Sequence, residues 1–568
     1  MKNISLGPCQ LQHLLQEIFK KAVYEALEIS LNPEILRSKP PQTADYQTAV
    51  ALSLAKDLKK SPRDVGQTIL TKIHHPLIEK VELAGPGFIN IYLNQTYLEE
   101  HSSTLFLPFH KNHQKILIDY SSPNVAKELH VGHLRSTIIG DSLSRLFELL
   151  GYDVMKINHI GDFGTQFGML VTYIIENDLD LSSCLLVDLM DWYRSSKICF
   201  DEDPAFKKRA QEMVVRLQSQ EEAIQEIWRK ILDVSRLGFE EIYRVLDVHL
   251  LERGESFYQP YLKAVIDLFE KTGLVEISNG AKCVFLDGYK DQNDAPLPLI
   301  IQKSDGGYNY ATTDLAALKY RIEEDRADRI IYVTDAGQSQ HLHMVFDAAK
   351  KCGFYQPEKT MVEHAPFGLV LNPDGTKMKT RSGEVFRLID LIKEAIHQAK
   401  EILIDRYKGE IGLEEMGKMA QVLGVNAIKY ADLSTVRTKD YIFSFERMLR
   451  FEGNTAAFNL YAYVRIKSIL KRCKKGAEKI AVKHPTERKL LLTLYQLYEA
   501  LDTVQRDLLP HRIAEYLFHL AETFNEFFRD CRVEGVEEES SRVALLHKTM
   551  KAFEMCFEIL GLKTLERM

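Results

Sequence analysis

The sequence lacks any long uninterrupted run of apolar residues, and this absence excludes several classes of protein. No window approaches the roughly 18 consecutive apolar residues expected of a membrane-spanning helix. The N-terminus, MKNISLGPCQ, also lacks the basic and then apolar order of a secretory signal peptide. We therefore expect a cytoplasmic protein that does not enter a membrane.

Cysteine is also scarce, and no two cysteines form a CxxC pair. Structural zinc sites and disulfide frameworks need cysteines at close and regular spacing. We therefore expect reduced thiols, no disulfides and no protein-bound zinc or other metal. The eight residues are Cys9, Cys184, Cys199, Cys283, Cys352, Cys473, Cys531 and Cys556.

Neither sign of charge is in large excess, since 73 basic and 80 acidic residues leave a net charge of −7. Overall charge therefore does not indicate a nucleic-acid partner, and any such partner would bind to local basic patches. The composition, 45% hydrophobic and 27% charged, is that of an ordinary globular protein. A chain of 568 residues exceeds what one core usually holds, so several domains are expected.

The spacing of apolar residues predicts a multidomain α/β protein. Residues 1–110 combine helical runs with VELAGPGFINIYLN, a turn followed by a strand, and predict a small α+β domain. In residues 111–386, short apolar runs (KILIDY, YDVMKINHI, RIIYVTD, FGLVL) alternate with helical stretches, as in a parallel sheet covered by helices. A helical insertion is predicted at about 172–250, and residues 387–568 predict an all-α domain.

Two histidines fall where a predicted strand (115–120) gives way to a predicted helix (136–150). The carboxyl edge of a parallel sheet binds ligands, and a helix N-terminus there favours phosphate. Gly132 lies between His130 and His133, and it allows a flat base to approach the backbone. The histidines could donate hydrogen bonds to phosphate oxygens as charge develops on them. A metal-binding pair and two ordinary surface histidines are the alternatives.

The string around these histidines, PNVAKELHVGHLRS, resembles the arginyl-tRNA synthetase form of the HIGH signature of class I aminoacyl-tRNA synthetases. Chance accounts for one such match, but not for seven in register over the whole chain. The six further matches, in the family's order, are NHIGDFGTQFG (158–168), RGESFY (253–258), YNYATTDLAA (308–317), GQSQH (337–341), KMKTRSGE (377–384) and LGLKTLERM (560–568).

The resemblance implies a Rossmann-like catalytic domain, an N-terminal additional domain that contacts the tRNA elbow, and a C-terminal anticodon-binding domain. It also implies an arginine–tRNA ligase that uses L-arginine, ATP with Mg²⁺ and tRNA(Arg), and a monomer. The family generally needs tRNA for the activation step. Two alternatives stay open: another class I synthetase, and a catalytically silent paralogue that binds tRNA.

The resemblance assigns the nucleotide end of the site to the two signatures. KMKTRSGE resembles the KMSKS loop, but the second lysine of that signature has become Thr380 or Arg381, and Lys127 is the cation that compensates in such enzymes. Three cations within six positions suit a leaving pyrophosphate, although a solvated basic turn explains them equally well. The implied catalytic residues are His130, His133, Lys127, Lys377, Lys379 and Arg381. The implied ATP-binding residues are Pro123, Gly132, His133, Met378 and Thr380.

A guanidinium group is planar and permanently charged, and it is best held by carboxylates that accept two parallel hydrogen bonds. By resemblance, Glu255, Tyr310 and Asp314 would hold this group. Asn124 and Gln338 would hold the amino and carboxylate end of the same arginine. Tyr310 and Asp314 are four residues apart, so a helix would present both on one face. Each acid taken singly is as well explained by an ordinary surface charge.

The C-terminal region offers candidate RNA contacts. Residues 465–489 hold ten Lys or Arg against two Glu, which favours either phosphate contact or a solvated linker between helices. Tyr461 matches a family aromatic position and is the first candidate for stacking on an anticodon base, with Met568 the second. A tyrosine frequent in the family appears here as Phe528, which has no hydroxyl.

Overall fold

The N-terminal part of the chain is a four-stranded antiparallel sheet packed against helices. The computed structural model describes residues 10–568, apart from 40–42, 107–108, 220, 377, 379–385, 409, 475 and 477–478. The strand order is β1-β2-β4-β3, and VELA is itself a strand, so the predicted turn closes a hairpin. The elements are α1 (Leu11–Leu27), β1 (Leu36–Arg37), β2 (Tyr46–Thr48), α2 (Val50–Leu58), α3 (Pro62–Leu70), β3 (Ile78–Ala84), β4 (Phe88–Leu93) and α4 (Gln95–His101).

A five-stranded parallel sheet forms the centre of the molecule, as the alternating pattern predicts. Its elements begin with β5 (Lys115–Asp119), α5 (Val131–Leu149) and β6 (Asp153–Asn158). The predicted helical insertion follows as α6 (Thr165–Glu176), α7 (Leu186–Glu202), α8 (Pro204–Gln218) and α9 (Glu222–Leu246). The chain then returns through β7 (Leu251–Glu252), α10 (Gln259–Lys271), β8 (Glu276–Ser278), β9 (Ala281–Lys290), β10 (Pro296–Gln302), α11 (Tyr310–Glu323), β11 (Arg329–Tyr332), α12 (Ser339–Cys352), β12 (Met361–His364) and β13 (Val370–Leu371).

The C-terminal part is helical, with one short strand. Buried aliphatic and aromatic side chains from its helices join those of the parallel sheet and the N-terminal sheet in one continuous core. Its elements are α13 (Leu388–Tyr407), α14 (Leu413–Leu433), β14 (Tyr441–Ile442), α15 (Phe445–Met448), α16 (Ala456–Arg472), α17 (Pro485–Tyr495), α18 (Leu497–Asp507), α19 (His511–Asp530) and α20 (Glu539–Ile559).

The strands of the central region depart from the sequence analysis in three respects. The order of the parallel sheet is β12-β11-β5-β6-β7, so MVEH supplies an edge strand that periodicity did not identify. The prediction that FGLVL is a strand of this sheet is wrong. Its last two residues form β13, and β13 pairs in parallel with β14 instead. A small antiparallel sheet, β10-β9-β8, was also missed, because the two prolines in PLPLIIQ are atypical of a strand.

The two ends of the chain pack against each other. Arg488 of α17 donates two hydrogen bonds to Asp45, at 2.8 and 2.7 Å. Arg37 of β1 lies 2.5 Å from Glu499 of α18, and the Tyr46 hydroxyl donates to the same carboxylate. No helix within the described part of the chain is long and apolar enough to cross a membrane.

Candidate active site

A cavity of about 610 Å³ opens at the carboxyl ends of β5, β6 and β11. This is the edge at which a parallel sheet binds ligands. Residues that lie far apart in the sequence, from the β5–α5 connection to the chain after β13, meet in its wall. The sequence-predicted site residues that line it are Asn124, His130, Gly132, His133, Glu255, Asp314, Gln338 and Met378.

The two signature histidines form the start of α5. His130 is the N-cap residue, and its Nδ1 accepts a hydrogen bond from the Gly132 N–H at 3.0 Å. The Nδ1 of His133 accepts one from the His130 N–H at 3.1 Å. Because each Nδ1 is an acceptor, the neutral rings carry their protons on Nε2. The rings lie 3.9 Å apart, so two N–H donors are presented side by side.

Both histidines are neutral at physiological pH. Burial, followed by the charges of His130 and Lys127, lowers the pKa of His133 to about 3. Burial and Lys127 also lower the pKa of His130. A Cβ on Gly132 would lie 2.8 Å from the His130 ring, so glycine at this position preserves the ring's place. The pair therefore acts as hydrogen-bond donors and supplies no fixed positive charge.

The β5–α5 connection is held in an unusual backbone conformation. Ser121, Ser122 and Ala126 all have positive φ, at 73°, 45° and 58°. Non-glycine residues in this region are strained, and such strain clusters at ligand sites. Pro123 is buried in the loop, and its carbonyl accepts the Gly161 N–H at 3.0 Å. Pro123 therefore supports the wall, while the exposed Asn124 lines the cavity.

Carboxylates gather at the other end of the cavity. Glu255 lies in the 3-10 turn Glu255–Tyr258, and Asp314 lies in the second turn of α11. Burial, then the charges of Asp162 and Asp314, raises the pKa of Glu255 to about 8. Asp314 is 2.6 Å from Nε2 of His341, which follows Gln338 in GQSQH. This end of the cavity is suited to a cationic group, since a cation would offset the repulsion among the acids.

Two of the predicted residues lie close to the cavity without lining it. Tyr310 is 64% exposed, and its ring contacts the ring of His341 at 4.7 Å. Tyr310 and Asp314 thus share one side of α11 by contacting the same histidine. The Lys127 ammonium lies 5.2 Å from the ring centre of Tyr193 in α7, so it leans toward the helical insertion.

The second signature is described only in part. Four of its predicted residues lie outside the described part of the chain, so their predicted roles stay predictions: Lys377, Lys379, Thr380 and Arg381. Met378 is buried in the cavity wall, and its N–H donates to the Val370 carbonyl at 3.1 Å. This bond ties the start of KMKTRSGE to β13. The loop therefore begins at the rim of the cavity.

Sequence reasoning missed several residues that shape the cavity. Asp119, at the carboxyl end of β5, forms an ion pair with the fully buried Arg321 at 2.7 Å. Arg135, inside the signature string, is fully buried and pairs with Asp432 at 3.0 Å. A polar residue at the end of a buried parallel strand is a usable signal for Asp119. No local pattern identifies the partner of Arg135.

The candidate RNA contacts lie in the C-terminal part of the chain, far from the cavity residues in the sequence. Tyr461 in α16 lies between two guanidinium groups, with Arg465 at 4.5 Å and Arg406 at 5.4 Å from its ring centre. Arg465 also lies 4.8 Å from the ring of Phe528. Met568 is half-buried and packs on the core.

Much of the basic stretch 465–489 is neutralised by acids from elsewhere in the chain. Lys467 and Lys471 both pair with Glu566, and Arg472 pairs with Glu534. Arg488 and Lys489 pair with Asp45 and Glu526. The local excess of positive charge seen in the sequence is therefore reduced in the fold. Within the described residues, no group of three or more His, Cys, Asp or Glu side chains could hold a metal ion.

Three family models together match most of the chain. Residues 10–93 match the arginyl tRNA synthetase N-terminal domain, residues 100–445 match the catalytic domain of class I (R) tRNA synthetases, and residues 459–568 match the DALR anticodon-binding domain. The catalytic match includes the cavity and both signatures.

Relatives and solved structures agree with these matches. An arginine–tRNA ligase of Protochlamydia amoebophila is 47% identical over 98% of this chain and 99% of its own, and one of Chlamydia pneumoniae is 46% identical over 94% and 95%. The crystal structure of arginyl-tRNA synthetase from Plasmodium falciparum superposes with a TM-score of 0.87 at 31% identity, covering 98% of this chain and 99% of that one. The Thermus thermophilus enzyme, at 22% identity, shares the fold with a TM-score of 0.82, covering 98% and 100%.

Proposed function

The chain belongs to the arginyl-tRNA synthetase family, and from that premise we propose that it attaches L-arginine to tRNA in an ATP-dependent reaction. The observation that carries the proposal is the division of one cavity between two imidazole donors and a group of carboxylates. The first end suits a phosphate and the second suits a guanidinium.

Arginine is activated first. One oxygen of its carboxylate attacks the α-phosphorus of ATP, the bond between the α- and β-phosphates breaks, and pyrophosphate leaves with the electron pair. The Nε2–H groups of His130 and His133 donate to phosphate oxygens as charge develops on them. Lys127 and the cations Lys377, Lys379 and Arg381 of the second signature are proposed to stabilise the departing pyrophosphate.

The nucleotide is proposed to lie along the β5–α5 connection. Gly132 would face the base and ribose, and Pro123 would support the backbone behind this part of the wall, while Met378 and Thr380 would approach from the second signature. Magnesium is proposed to arrive as Mg-ATP, coordinated by the phosphates, because Mg²⁺ keeps several waters and favours substrate phosphates.

The arginine side chain is proposed to extend to the acidic end. Glu255 and Asp314 would accept hydrogen bonds from the guanidinium, and Tyr310 would cover it from the exposed side. Asn124 and Gln338 would hold the α-amino and carboxylate groups near the histidines. An apolar amino acid would leave buried carboxyls unpaired, which supports selectivity of about 10⁴ without a second, hydrolytic site.

Transfer to tRNA follows. The terminal 2′-hydroxyl oxygen attacks the carbonyl carbon of arginyl-adenylate, AMP leaves, and the hydroxyl proton passes to solvent or to the leaving phosphate. Tyr461, with Met568 beside the core, is proposed to stack on an unpaired anticodon base, as arginine-flanked aromatics do. The same proposal includes domain boundaries at residues 110 and 386 and contact of the first domain with the tRNA elbow. It also includes a monomeric state and a cytoplasmic location.

Charging of total tRNA with each of the 20 standard amino acids, in the presence of Mg-ATP, tests the function. We expect arginine alone to be attached. His133→Ala should lower kcat by about 10²- to 10³-fold, because it removes one donor from the transition state. Glu255→Gln should chiefly raise the KM for arginine, because it removes a carboxylate from the guanidinium end.

The outcomes of the charging assay separate the possible failures. Attachment of another amino acid would contradict the guanidinium site and leave the nucleotide site standing. Tight tRNA binding with no amino acid attached would favour a silent paralogue. Exposed Glu414 pairs with Lys418 of the same helix, and Glu414→Gln is a control that should charge arginine normally.

A further inference from the structure

Asp162 contacts the turn that carries Glu255, although it is not itself part of the cavity wall. It follows β6 in NHIGDFG and is 3% exposed. Its Oδ1 accepts a hydrogen bond from the Ser256 N–H at 2.8 Å, and its Oδ2 accepts one from the Ser256 hydroxyl at 2.6 Å. Since Ser256 directly follows Glu255, these bonds fix the backbone from which the Glu255 side chain extends.

The same two segments approach closely at a second point. The Glu255 N–H donates to the Ile160 carbonyl at 3.0 Å. A Cβ on Gly254 would lie 2.5 Å from Oδ2 of Asp162, so a larger residue there would push the carboxylate away. The indole N–H of Trp228, in α9, donates to the Asp162 carbonyl at 2.8 Å. Trp228 of the helical insertion therefore holds Asp162 in place, and Asp162 in turn holds the turn that carries Glu255.

Charge links the two carboxyls as well. The pKa of Glu255 is raised to about 8. Burial is the largest cause, and the charges of the Asp162 and Asp314 carboxylates come next. Burial also raises the pKa of Asp162 to about 6, against the hydrogen bonds from Ser256. Without a bound cation, Glu255 therefore holds its proton more strongly than Asp162 does.

The remaining groups that face Glu255 come from β6, α11 and α12. Asp314 of α11 is bonded to His341 of α12 at 2.6 Å, so part of its charge is offset. His159 follows β6, and burial is the main cause that lowers the pKa of its ring. This ring is therefore neutral at physiological pH. The Phe163 N–H donates to the Glu255 carboxyl and favours its charged form.

We propose that Asp162 is a positioning residue for the amino-acid substrate: it holds the turn that carries Glu255 and directs the Glu255 carboxyl toward the guanidinium. The proposal rests on the proposed function, since a guanidinium is the cation that satisfies both carboxyls. When arginine binds, the Glu255 proton passes to solvent and the carboxylate accepts the guanidinium N–H groups. An uncharged amino acid supplies no such compensation, so Asp162 contributes to discrimination.

Asp162→Asn tests the charge separately from the shape. Its Oδ1 can still accept from the Ser256 N–H, and its Nδ2 can donate to the Ser256 hydroxyl. In wild type, the KM for arginine should rise as the pH falls below about 8, because Glu255 becomes protonated. In the variant, this rise should begin at a lower pH, because one cause of proton retention is gone. The KM for ATP, measured in the same charging reactions, should not change.

Asp162→Ala tests the hydrogen bonds. It should raise the KM for arginine about tenfold at every pH, because two hydrogen bonds that orient Glu255 are lost. Asp267→Asn is the matched control: Asp267 lies in α10 and pairs with Lys263 at 2.7 Å, so its profile should match wild type. If Asp162→Ala does not fold, the Asn variant alone decides.

A pH profile of Asp162→Asn that superimposes on wild type would overturn the proposal, as would equal changes in the KM values for arginine and ATP. Either result with a wild type that charges arginine would leave the proposed function intact. A wild type that charges no arginine would instead overturn the proposed function.

Discussion

At the scale of single residues, the signature histidines are defined by their backbone contacts. Each Nδ1 accepts a backbone N–H, which leaves each Nε2–H to face a ligand. The same burial that lowers both pKa values keeps the rings neutral. The HxxH spacing at this helix start therefore places two donors side by side, since the backbone N–H groups there hold both Nδ1 atoms.

The neutral state of these histidines predicts a flat kcat profile. Since the pKa of His133 is about 3, its titration should not appear in kcat as the pH falls from about 8 to about 6, and burial also moves the pKa of His130 below its ordinary value. The KM for arginine should rise over the same range, because the carboxyl of Glu255 has a pKa of about 8. Steady-state charging at saturating ATP measures both. A kcat that fell with a midpoint near the ordinary histidine value of about 6.5 would contradict the assignment.

At the scale of elements, Arg135 explains why FGLVL leaves the parallel sheet. From α5 its guanidinium donates to the carbonyls of Gly368 and Lys439, at 2.7 and 3.1 Å, and pairs with Asp432 of α14 at 3.0 Å. These bonds draw β13 against β14. One buried side chain therefore joins the signature helix, the strand before the KMKTRSGE loop and the C-terminal helices.

Arg135→Lys should lower the free energy of unfolding by about 3 to 5 kcal/mol, because a lysine cannot supply the fork of donors and Asp432 stays buried. The double variant Arg135→Met, Asp432→Leu should recover most of this stability, since no buried charge remains. Pyrophosphate exchange by the double variant should still be slower than in wild type, because the carbonyls of Gly368 and Lys439 beside the cavity keep no donor. Urea unfolding and exchange assays measure the two effects. Recovery of both together would show that Arg135 acts through stability alone.

At the scale of the whole molecule, the N-terminal sheet is anchored on the helices at the far end of the chain. Asp45 accepts two hydrogen bonds from Arg488 and also accepts the Leu93 N–H at 2.8 Å. Its side chain is 6% exposed, so the pair is largely removed from water. Nothing local in the sequence identifies this contact, because 443 residues separate its partners.

Arg488→Ala should lower the free energy of unfolding by on the order of 3 kcal/mol, because it leaves the buried Asp45 carboxylate without its cationic partner. Lys489→Ala is the adjacent control. Its pair with Glu526 is exposed, so its removal should cost less than about 1 kcal/mol. Thermal denaturation of both variants makes the comparison. Equal losses would mean that the Asp45 contact does not anchor the two ends.

The sequence by itself determined the family, the alternation of strands and helices, the helical insertion and eight of the residues that line the cavity. It could do so because signatures such as PNVAKELHVGHLRS and RGESFY occupy continuous stretches, and because the period of apolar residues reports local burial directly.

Only the tertiary structure decided which groups meet across the fold. Asp162 beneath Glu255, Arg135 against Asp432, and the acids that neutralise residues 465–489 all join distant parts of the chain. Local propensity carries no record of such pairs, since each depends on how whole elements pack. The protonation of Glu255 and the tautomers of the two histidines follow from the same packing, because burial and backbone contacts set both.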